Sequence, residues 1–253
     1  VQDWEWWEPG KWSGMEFDST RFPNPKGMMD QLHAMNLHAI ISVWPCVGLK
    51  AKMHGDMYSK GYLYEPIGWG NFRYIDVYNP KAMDMYNDYV YKNVYPQGFD
   101  GWWHDSTEPD VTNSLTKEAH QYETERLDNN YLGSQARFLN TYVLALLDNV
   151  YNKWTSTDKR RACILTRSSF AGIQRDGAIV WSGDIGASWQ IYREQITAGL
   201  NFCMSGTPYW SFDIGGFLID DVSLCIGAVL GQVLDIHSAE MPDTHVHGYE
   251  RLV

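Results

Sequence analysis

Residues 98–110 (GFDGWWHDSTEPD) combine a short apolar run with a cluster of acidic residues directly behind it. The apolar part, residues 98–103, is typical of a buried strand, and the polar part follows at its carboxyl end. An acid beside two tryptophans is costly to bury unless it is paired or takes part in chemistry. The stretch therefore predicts a strand that delivers Asp105 to a functional site.

The same alternation of a short apolar run and a longer helical stretch recurs along the chain. Helices are predicted over residues 25–36, 80–95, 115–154 and 189–202, and strands over residues 1–4, 38–45, 98–103, 161–166, 178–181 and 208–212, with a weaker strand at 229–236. Residues 46–79 show little periodicity and are predicted to form a long connection. Without an internal repeat or a linker, residues 1–253 are expected to form one domain.

Two α/β architectures fit this alternation, an open doubly wound sheet and a (β/α)₈ TIM-type barrel. A doubly wound sheet collects its ligand residues at one switch point, often beside a glycine-rich phosphate loop, and the sequence has no such loop. In a barrel nearly every strand end contributes to the site. Candidate residues follow many of the predicted strands: Asp3, Trp44, Asp105, Arg167, Asp184 and Asp213. We predict the barrel, although seven strands leave it one short.

The amino-acid composition limits the kinds of ligand that the chain is expected to bind. The chain has 31 acidic and 20 basic residues and a formal charge of −11, which disfavours nucleic acid or an anionic membrane as a partner. Its 4 cysteines form no CxxC pair, and no apolar run reaches the ~18 residues of a membrane span. The 12 Trp, 16 Tyr and 9 Phe are unusually many. Aromatic rings fill cores but also stack on sugar rings, so a saccharide is the expected ligand.

Cleavage of a glycoside needs two carboxyl groups on either side of the scissile bond. Asp105 and Asp184 are the best pair, because Asp184 lies in WSGDIGASW between Trp181 and Trp189. Each aspartate alone could equally be a helix N-cap. Their matching aromatic settings favour a catalytic pair.

Taken together, these motifs resemble the catalytic barrel of glycoside hydrolase family 31, the retaining α-glucosidase and α-xylosidase family. The resemblance runs from VQDW at Val1 through FDSTRFPNPKGMMDQLH, ISVWP and TRSSFAG to PYWSFDIGGF, which ends at Phe217. It implies that Asp105, the first aspartate of D-x-x-E-P, is the nucleophile. It also implies that Asp184, in W-[ST]-G-D, is the acid/base of a double displacement through a covalent glycosyl-aspartate.

The resemblance also implies a set of substrate-binding residues. Asp3 resembles a ligand of sugar hydroxyls, Arg175 an arginine that hydrogen bonds substrate, and Asp213 the acid after the seventh strand. The other expected substrate-binding residues are aromatic or lie beside the carboxylates: Trp44, Trp103, Trp181, Phe217 and Arg167. For Arg167 and Glu108 a structural salt bridge is an equal alternative, and His104 is expected to pack in the core.

Two departures from the family pattern concern the carboxyl-terminal part and the domain set. The family's R-x-H motif reads Asp235-Ile-His237 here, so His237 is a substrate ligand or an unrelated residue. The family's barrel begins one strand earlier and is flanked by β domains. We therefore expect a partial catalytic domain, completed by flanking domains of a longer protein or by an oligomer partner. No cofactor and no metal are expected, since His245-Val-His247 is best explained as a solvated tail.

The predicted function is that of a retaining, exo-acting α-glycosidase. The sequence WWHDSTEPD resembles the bacterial α-xylosidases of the family, which favours xyloglucan-type oligosaccharides as substrates. The alternatives are an α-glucosidase of the same family, a non-catalytic remnant that only binds sugar, and a metal-dependent hydrolase barrel. Relatives that degrade polysaccharides suggest a periplasmic or secreted location.

Overall fold

The computed structural model describes residues 1–110, 118 and 129–218. Its strands are β1 (Ile40–Ser42), β2 (Cys46–Gly48), β3 (Phe72–Tyr74), β4 (Gly101–His104), β5 (Asn129–Asn130), β6 (Gly133–Ser134), β7 (Ile164–Thr166), β8 (Ala178–Trp181) and β9 (Trp210–Ser211). Its helices are α1 (Pro25–Ala34), α2 (Lys52–Tyr58), α3 (Pro80–Asn93), α4 (Gln135–Phe138), α5 (Tyr142–Thr157) and α6 (Trp189–Met204). The described residues form two compact units, one within Gln2–Ala178 and a second of Val1 with residues 179–218.

Three parallel strands form the centre of the first unit. Strand β4 lies between β1 and β7, with Ile40 opposite Gly101 and His104 opposite Thr166. Gly101 allows β4 and β7 to pack closely, because a Cβ atom there would lie 2.4 Å from the Cys163 carbonyl oxygen. The carboxyl ends of the three strands therefore meet at one edge of the sheet.

The helices of the first unit begin where the sequence supplies a cap. The Asn24 side chain accepts a hydrogen bond from Gly27 N at the start of α1, and the Asn79 side chain accepts one from Lys81 N at the start of α3. A proline follows each cap, where its fixed φ favours a first helical turn. Helices α1 and α3 thus confirm the predictions for residues 25–36 and 80–95 to within two residues at the carboxyl ends.

A tryptophan cluster fills the core beside β1. The ring of Trp12 lies 4.9 Å from Trp4, 5.7 Å from Trp7 and 5.0 Å from Trp44, measured between ring centroids. The Trp6 indole nitrogen donates to the Ser42 carbonyl at 2.7 Å, which ties the amino-terminal segment to β1. Most of the tryptophans in this segment are therefore core residues rather than exposed sugar platforms.

The second unit pairs β8 with β9 in parallel, with Trp181 opposite Ser211. Helix α6 connects the two strands and is capped by Ser188, whose hydroxyl accepts a hydrogen bond from Ile191 N. Gly216 has a φ of +83°, and a Cβ atom there would lie 2.6 Å from the Ala187 backbone. The loop after β9 can therefore lie directly on the loop after β8.

Three sequence predictions of secondary structure were wrong. The predicted connection over residues 46–79 contains the antiparallel pair β2–β3 and helix α2. The helical region predicted over residues 115–154 is interrupted by the β5–β6 hairpin, and its main helix begins only at Tyr142. The strand predicted at residues 1–4 is reduced to a single bridge between Gln2 and Ile41. The weak strand predicted at 229–236 lies outside the described residues.

Within the described ranges, none of the helices combines the length and the apolar character needed to cross a bilayer.

Candidate active site

Asp105 directly follows β4, and its carboxylate is hydrogen bonded to the backbone of the next residue. Its side chain is 13% exposed, and Ser106 N donates a hydrogen bond to its Oδ1 atom at 2.6 Å. This contact requires a turn, and Ser106 has a φ of +51°, in the left-handed region that serine rarely adopts. The strand end therefore fixes the direction of the Asp105 carboxylate.

Arg167 approaches Asp105 from the neighbouring strand. Because His104 pairs with Thr166, the residues after β4 and β7 lie side by side. The Arg167 Nη1 atom lies 3.4 Å from Asp105 Oδ1, and its Nε atom donates to Glu108 Oε1. Arg167 thus connects both acids of the D-x-x-E-P motif by charge-assisted contacts.

The imidazole of His104 supplies no charge to this site. His104 is 1% exposed, and its burial lowers its pKa from 6.5 to about 3. The ring is therefore neutral near pH 7 and packs next to the ring of Tyr86, as the sequence analysis expected. The positive charge beside Asp105 is that of Arg167.

A buried polar layer supports the turn after Asp105. The hydroxyl of Tyr74, on β3, hydrogen bonds to the Ser106 hydroxyl at 2.5 Å, and both residues are buried. Burial, together with the charge of Asp105, raises the pKa of the Cys46 thiol, which keeps this thiol neutral beneath the site. The Thr107 hydroxyl lies 2.7 Å from the Ser168 hydroxyl on the loop after β7. Neither Tyr74 nor Ser106 was predicted from the sequence as a residue of the site.

Replacement of Tyr74 by phenylalanine is expected to lower kcat and leave KM nearly unchanged. The Ser106 hydroxyl loses a buried partner, which costs about 1–2 kcal/mol of unfolding free energy. The strained turn then relaxes and misplaces Asp105, which reduces kcat by about tenfold. Steady-state kinetics and a melting curve on the purified variant measure both effects.

Tyr86→Phe is the matched control for this prediction. Tyr86 is equally buried, but its hydroxyl has no hydrogen-bond partner among the described residues. Its loss should therefore leave kcat unchanged. Equal kinetics for Tyr74→Phe and Tyr86→Phe would show that the hydroxyl of Tyr74 does not position Asp105.

Two further predicted residues of the first unit lie at the same edge as Asp105. Trp44 follows β1 and is buried, and its backbone N donates a hydrogen bond to the Ser13 hydroxyl at 2.9 Å. Asp3 follows Gln2, which bridges to β1, and its carboxylate accepts a hydrogen bond from Trp4 N at 2.7 Å. Trp103 lies within β4 itself and is buried. The parallel strands thus bring Asp3, Trp44 and Arg167 to the edge where Asp105 lies.

Arg175 has a different setting from Arg167. It lies in a 3₁₀ turn, Ile173–Asp176, with its side chain 56% exposed. Its guanidinium binds Asp148 of α5, with the Nε atom 2.9 Å from Oδ1. Arg175 thus pairs with Asp148 of α5 and, at 3.9 Å, with Asp176, and its predicted role as a substrate ligand stays a prediction.

Burial destabilises the ionised form of the neighbouring residue, Asp176. Its side chain is 4% exposed, and its Oδ2 atom has no hydrogen-bond partner within the described part of the chain. Burial and the nearby charge of Asp148 raise its pKa from 3.8 to about 6. At a pH between 3.8 and about 6, Asp176 binds more protons in the folded state than in the unfolded state. Its contribution to the free energy of unfolding therefore falls as the pH rises through this range.

Asp176→Asn is therefore expected to stabilise the protein at pH 7.5, by about 1–3 kcal/mol of unfolding free energy. The gain should shrink as the pH falls from 6 towards 3.8, because the wild-type acid is then protonated in both states. The melting temperatures of wild type and Asp176→Asn, recorded across this pH range, measure the gain in stability. A gain that does not depend on pH, or a loss of stability at pH 7.5, would refute the assignment.

The second unit carries the other predicted residues. Asp184 is exposed in the loop after β8, and Trp181, at the end of β8, is buried. Asp213 follows β9, and Phe217 N donates to the Ile185 carbonyl at 2.8 Å. A small open pocket lies between these loops, lined in part by Trp189, Tyr192, Phe212 and Asp213. His237 lies outside the described residues.

Both units carry acids and aromatic residues after parallel strands, the position at which α/β barrel enzyme domains place their active-site residues. Residues 1–230 match the family described as "Glycosyl hydrolases family 31 TIM-barrel domain". The chain belongs to this family, and its fold is the predicted (β/α)₈ type.

Similar proteins include enzymes of two specificities. The chain is 37% identical over 219 residues to an alpha-xylosidase of Saccharolobus solfataricus, covering 86% of this chain and 28% of that protein. It is 31% identical over 222 residues to neutral alpha-glucosidase C of Homo sapiens, covering 80% and 23%. The crystal structure of a GH31 alpha-xylosidase from Xanthomonas citri matches with a TM-score of 0.80 and 33% identity, covering 87% and 25%. The chain spans about a quarter of the length of these relatives.

Proposed function

We propose that the chain carries the catalytic centre of a retaining, exo-acting α-glycosidase with Asp105 as its nucleophile. The observation that carries this proposal is the double contact to Asp105 Oδ1, from Ser106 N at 2.6 Å and from Arg167 Nη1 at 3.4 Å. A nucleophile must be held in one orientation to attack a carbon in line. The two contacts provide this orientation at the carboxyl end of a barrel strand.

The proposed reaction has two displacements. Asp105 attacks the anomeric carbon while Asp184 donates a proton to the departing glycosidic oxygen, which leaves a covalent glycosyl-aspartate. Asp184 then accepts a proton from water as the water oxygen attacks the same carbon and releases Asp105. The exposed position of Asp184 fits a group that must exchange a proton with a leaving group and with water.

The proposed substrate is an α-xyloside of the xyloglucan type. Similarity to two proteins named alpha-xylosidase, at 37% and 33% identity, supports a pentose in the first subsite. The second candidate function is α-glucoside hydrolysis, which the 31% identity to neutral alpha-glucosidase C favours. The two substrates differ by one hydroxymethyl group, so a xylose site must exclude glucose by its shape.

Rates on aryl α-xylosides and aryl α-glucosides with the same leaving group test the proposal. We expect the xyloside to be the better substrate, with no measurable turnover in Asp105→Asn or Asp184→Asn. Asp30→Asn is the matched control, since it makes the same carboxyl-to-amide change on α1, 60% exposed and paired with Lys26. Preference for the glucoside would establish the second candidate. Absence of turnover in a chain that melts cooperatively would favour a sugar-binding remnant.

A further inference from the structure

Two histidines and an aspartate converge at the amino-terminal ends of β1 and β4. His33 lies in the last turn of α1, His38 precedes β1, and Asp100 precedes β4. His33 Nε2 lies 3.0 Å from Asp100 Oδ2, and His38 Nδ1 lies 3.3 Å from Asp100 Oδ1. One donor atom from each of the three residues lies within 4.8 Å of the others. Each imidazole thus directs a nitrogen at the same carboxylate.

These separations are close to those of ligands around a small metal ion. A metal bound at about 2.1 Å from each ligand in tetrahedral geometry separates its ligand atoms by about 3.4 Å. The separations of 3.0 and 3.3 Å are to the two different oxygens of Asp100, and one donor atom from each residue lies within 4.8 Å of the others, so the side chains must move closer together to admit an ion. His38 is 75% exposed and His33 is 35% exposed, so an ion can reach the cluster from solvent.

The carboxylate of Asp100 is oriented by a second set of contacts. Ala39 N donates to its Oδ2 atom at 2.9 Å, and Arg160 Nη1 donates to its Oδ1 atom at 2.8 Å. Arg160 is also bound to Asp158, with Nη2 2.7 Å from Oδ2, so its charge is already offset. With neutral imidazoles, the two aspartates and Arg160 leave one net negative charge. Outer contacts of this kind fix the direction of a metal ligand.

We propose that His33, His38 and Asp100 form a binding site for a divalent transition metal ion of the zinc type. Two imidazoles and one carboxylate suit zinc, nickel or copper, whereas magnesium and calcium prefer oxygen ligands alone. Asp100 precedes β4 and Asp105 follows it, so the site lies at the strand end opposite the candidate nucleophile. The bound ion joins the end of α1 to the starts of two strands and stabilises the fold without entering the reaction.

Titration of the tag-free full chain with Zn²⁺ at pH 7.5 tests the proposal. We expect calorimetry to show binding that His33→Gln and His38→Gln each weaken at least tenfold, and Zn²⁺ to raise the melting temperature of wild type by several degrees but not that of these two variants. Excess Mg²⁺ should not compete. Because both histidines are partly exposed, the variants should fold, which their melting curves without metal verify.

Control variants separate this site from other zinc ligands of the chain. His245→Gln with His247→Gln, and separately Cys203→Ser, should retain both the binding and the rise in melting temperature. The proposal is overturned if wild type binds no Zn²⁺, because the cluster is then only a set of hydrogen bonds. It is also overturned if the His33 and His38 variants bind Zn²⁺ as wild type does.

Discussion

Asp105→Gly lowers kcat/KM for an aryl α-xyloside by about 10⁴-fold or more, and added azide restores part of the turnover. The glycine removes the carboxylate that is proposed to attack the anomeric carbon and leaves space for a small anion. Azide then attacks from the vacated side in a single displacement, so the product is the β-glycosyl azide. The contacts of Asp105 Oδ1 with Ser106 N and Arg167 hold this carboxylate in one orientation.

Product configuration in Asp105→Gly is measured by proton NMR, with Asp30→Gln as the control for added azide. Asp30 is an exposed acid on α1, so its replacement should leave hydrolysis at the wild-type rate without azide product. An α-glycosyl azide from Asp105→Gly would show that another group is the nucleophile. Full activity in this variant would remove Asp105 from the mechanism.

In Asp184→Ala, added azide is expected to give the glycosyl azide of the anomeric configuration opposite to that from Asp105→Gly. Loss of the acid/base should slow hydrolysis of an oligosaccharide by about 10²–10⁴-fold, because its leaving group needs protonation. A dinitrophenyl glycoside needs little protonation, so it should still form the glycosyl-enzyme and give a burst of product. Azide, which needs no general base, should release the intermediate as the α-glycosyl azide.

Pre-steady-state kinetics and product NMR measure both effects in Asp184→Ala. Asp213→Ala is the comparison variant, since Asp213 also follows a strand of the second unit and is proposed to bind substrate rather than to transfer a proton. It should raise KM without giving an azide product. A β-glycosyl azide from Asp184→Ala, or no difference between the two leaving groups, would contradict the assigned role.

The strand ends were the most predictable part of the molecule. The apolar runs before Asp105 and Asp184 are short and bounded by polar residues; the run predicted at 98–103 overlaps β4, and the run predicted at 178–181 matches β8. Helix α3 was predictable because Asn79 and Pro80 give an unambiguous start. Strong local signals and the tertiary fold agree at these positions.

The elements that the sequence analysis missed have weak local signals. Strands β2 and β3 contain three residues each, too few to show an alternating pattern, and α2 has no side-chain cap. The β5–β6 hairpin turns through Tyr131 and Leu132, and Gly133, with a φ of +128°, begins β6 inside a segment whose flanking residues have helical spacing. Short elements depend on tertiary packing, which a window of sequence does not contain.

Pairings between distant residues were also beyond sequence reasoning. The contact between Tyr74 and Ser106 depends on a positive φ at Ser106, which a serine in the sequence does not predict. The cluster of His33, His38 and Asp100 forms only because β1 and β4 are parallel neighbours, and the sequence analysis accordingly expected no metal. Topology, rather than residue type, creates both arrangements.

The configuration of the first product of the wild-type chain tests the central claim most directly. Proton NMR of an aryl α-xyloside digest, recorded before the released sugar equilibrates, distinguishes the two anomers. A double displacement through Asp105 predicts that α-xylose appears first and the β-anomer later by mutarotation. Initial release of β-xylose would mean a single displacement and would contradict the role of Asp105 as a covalent nucleophile.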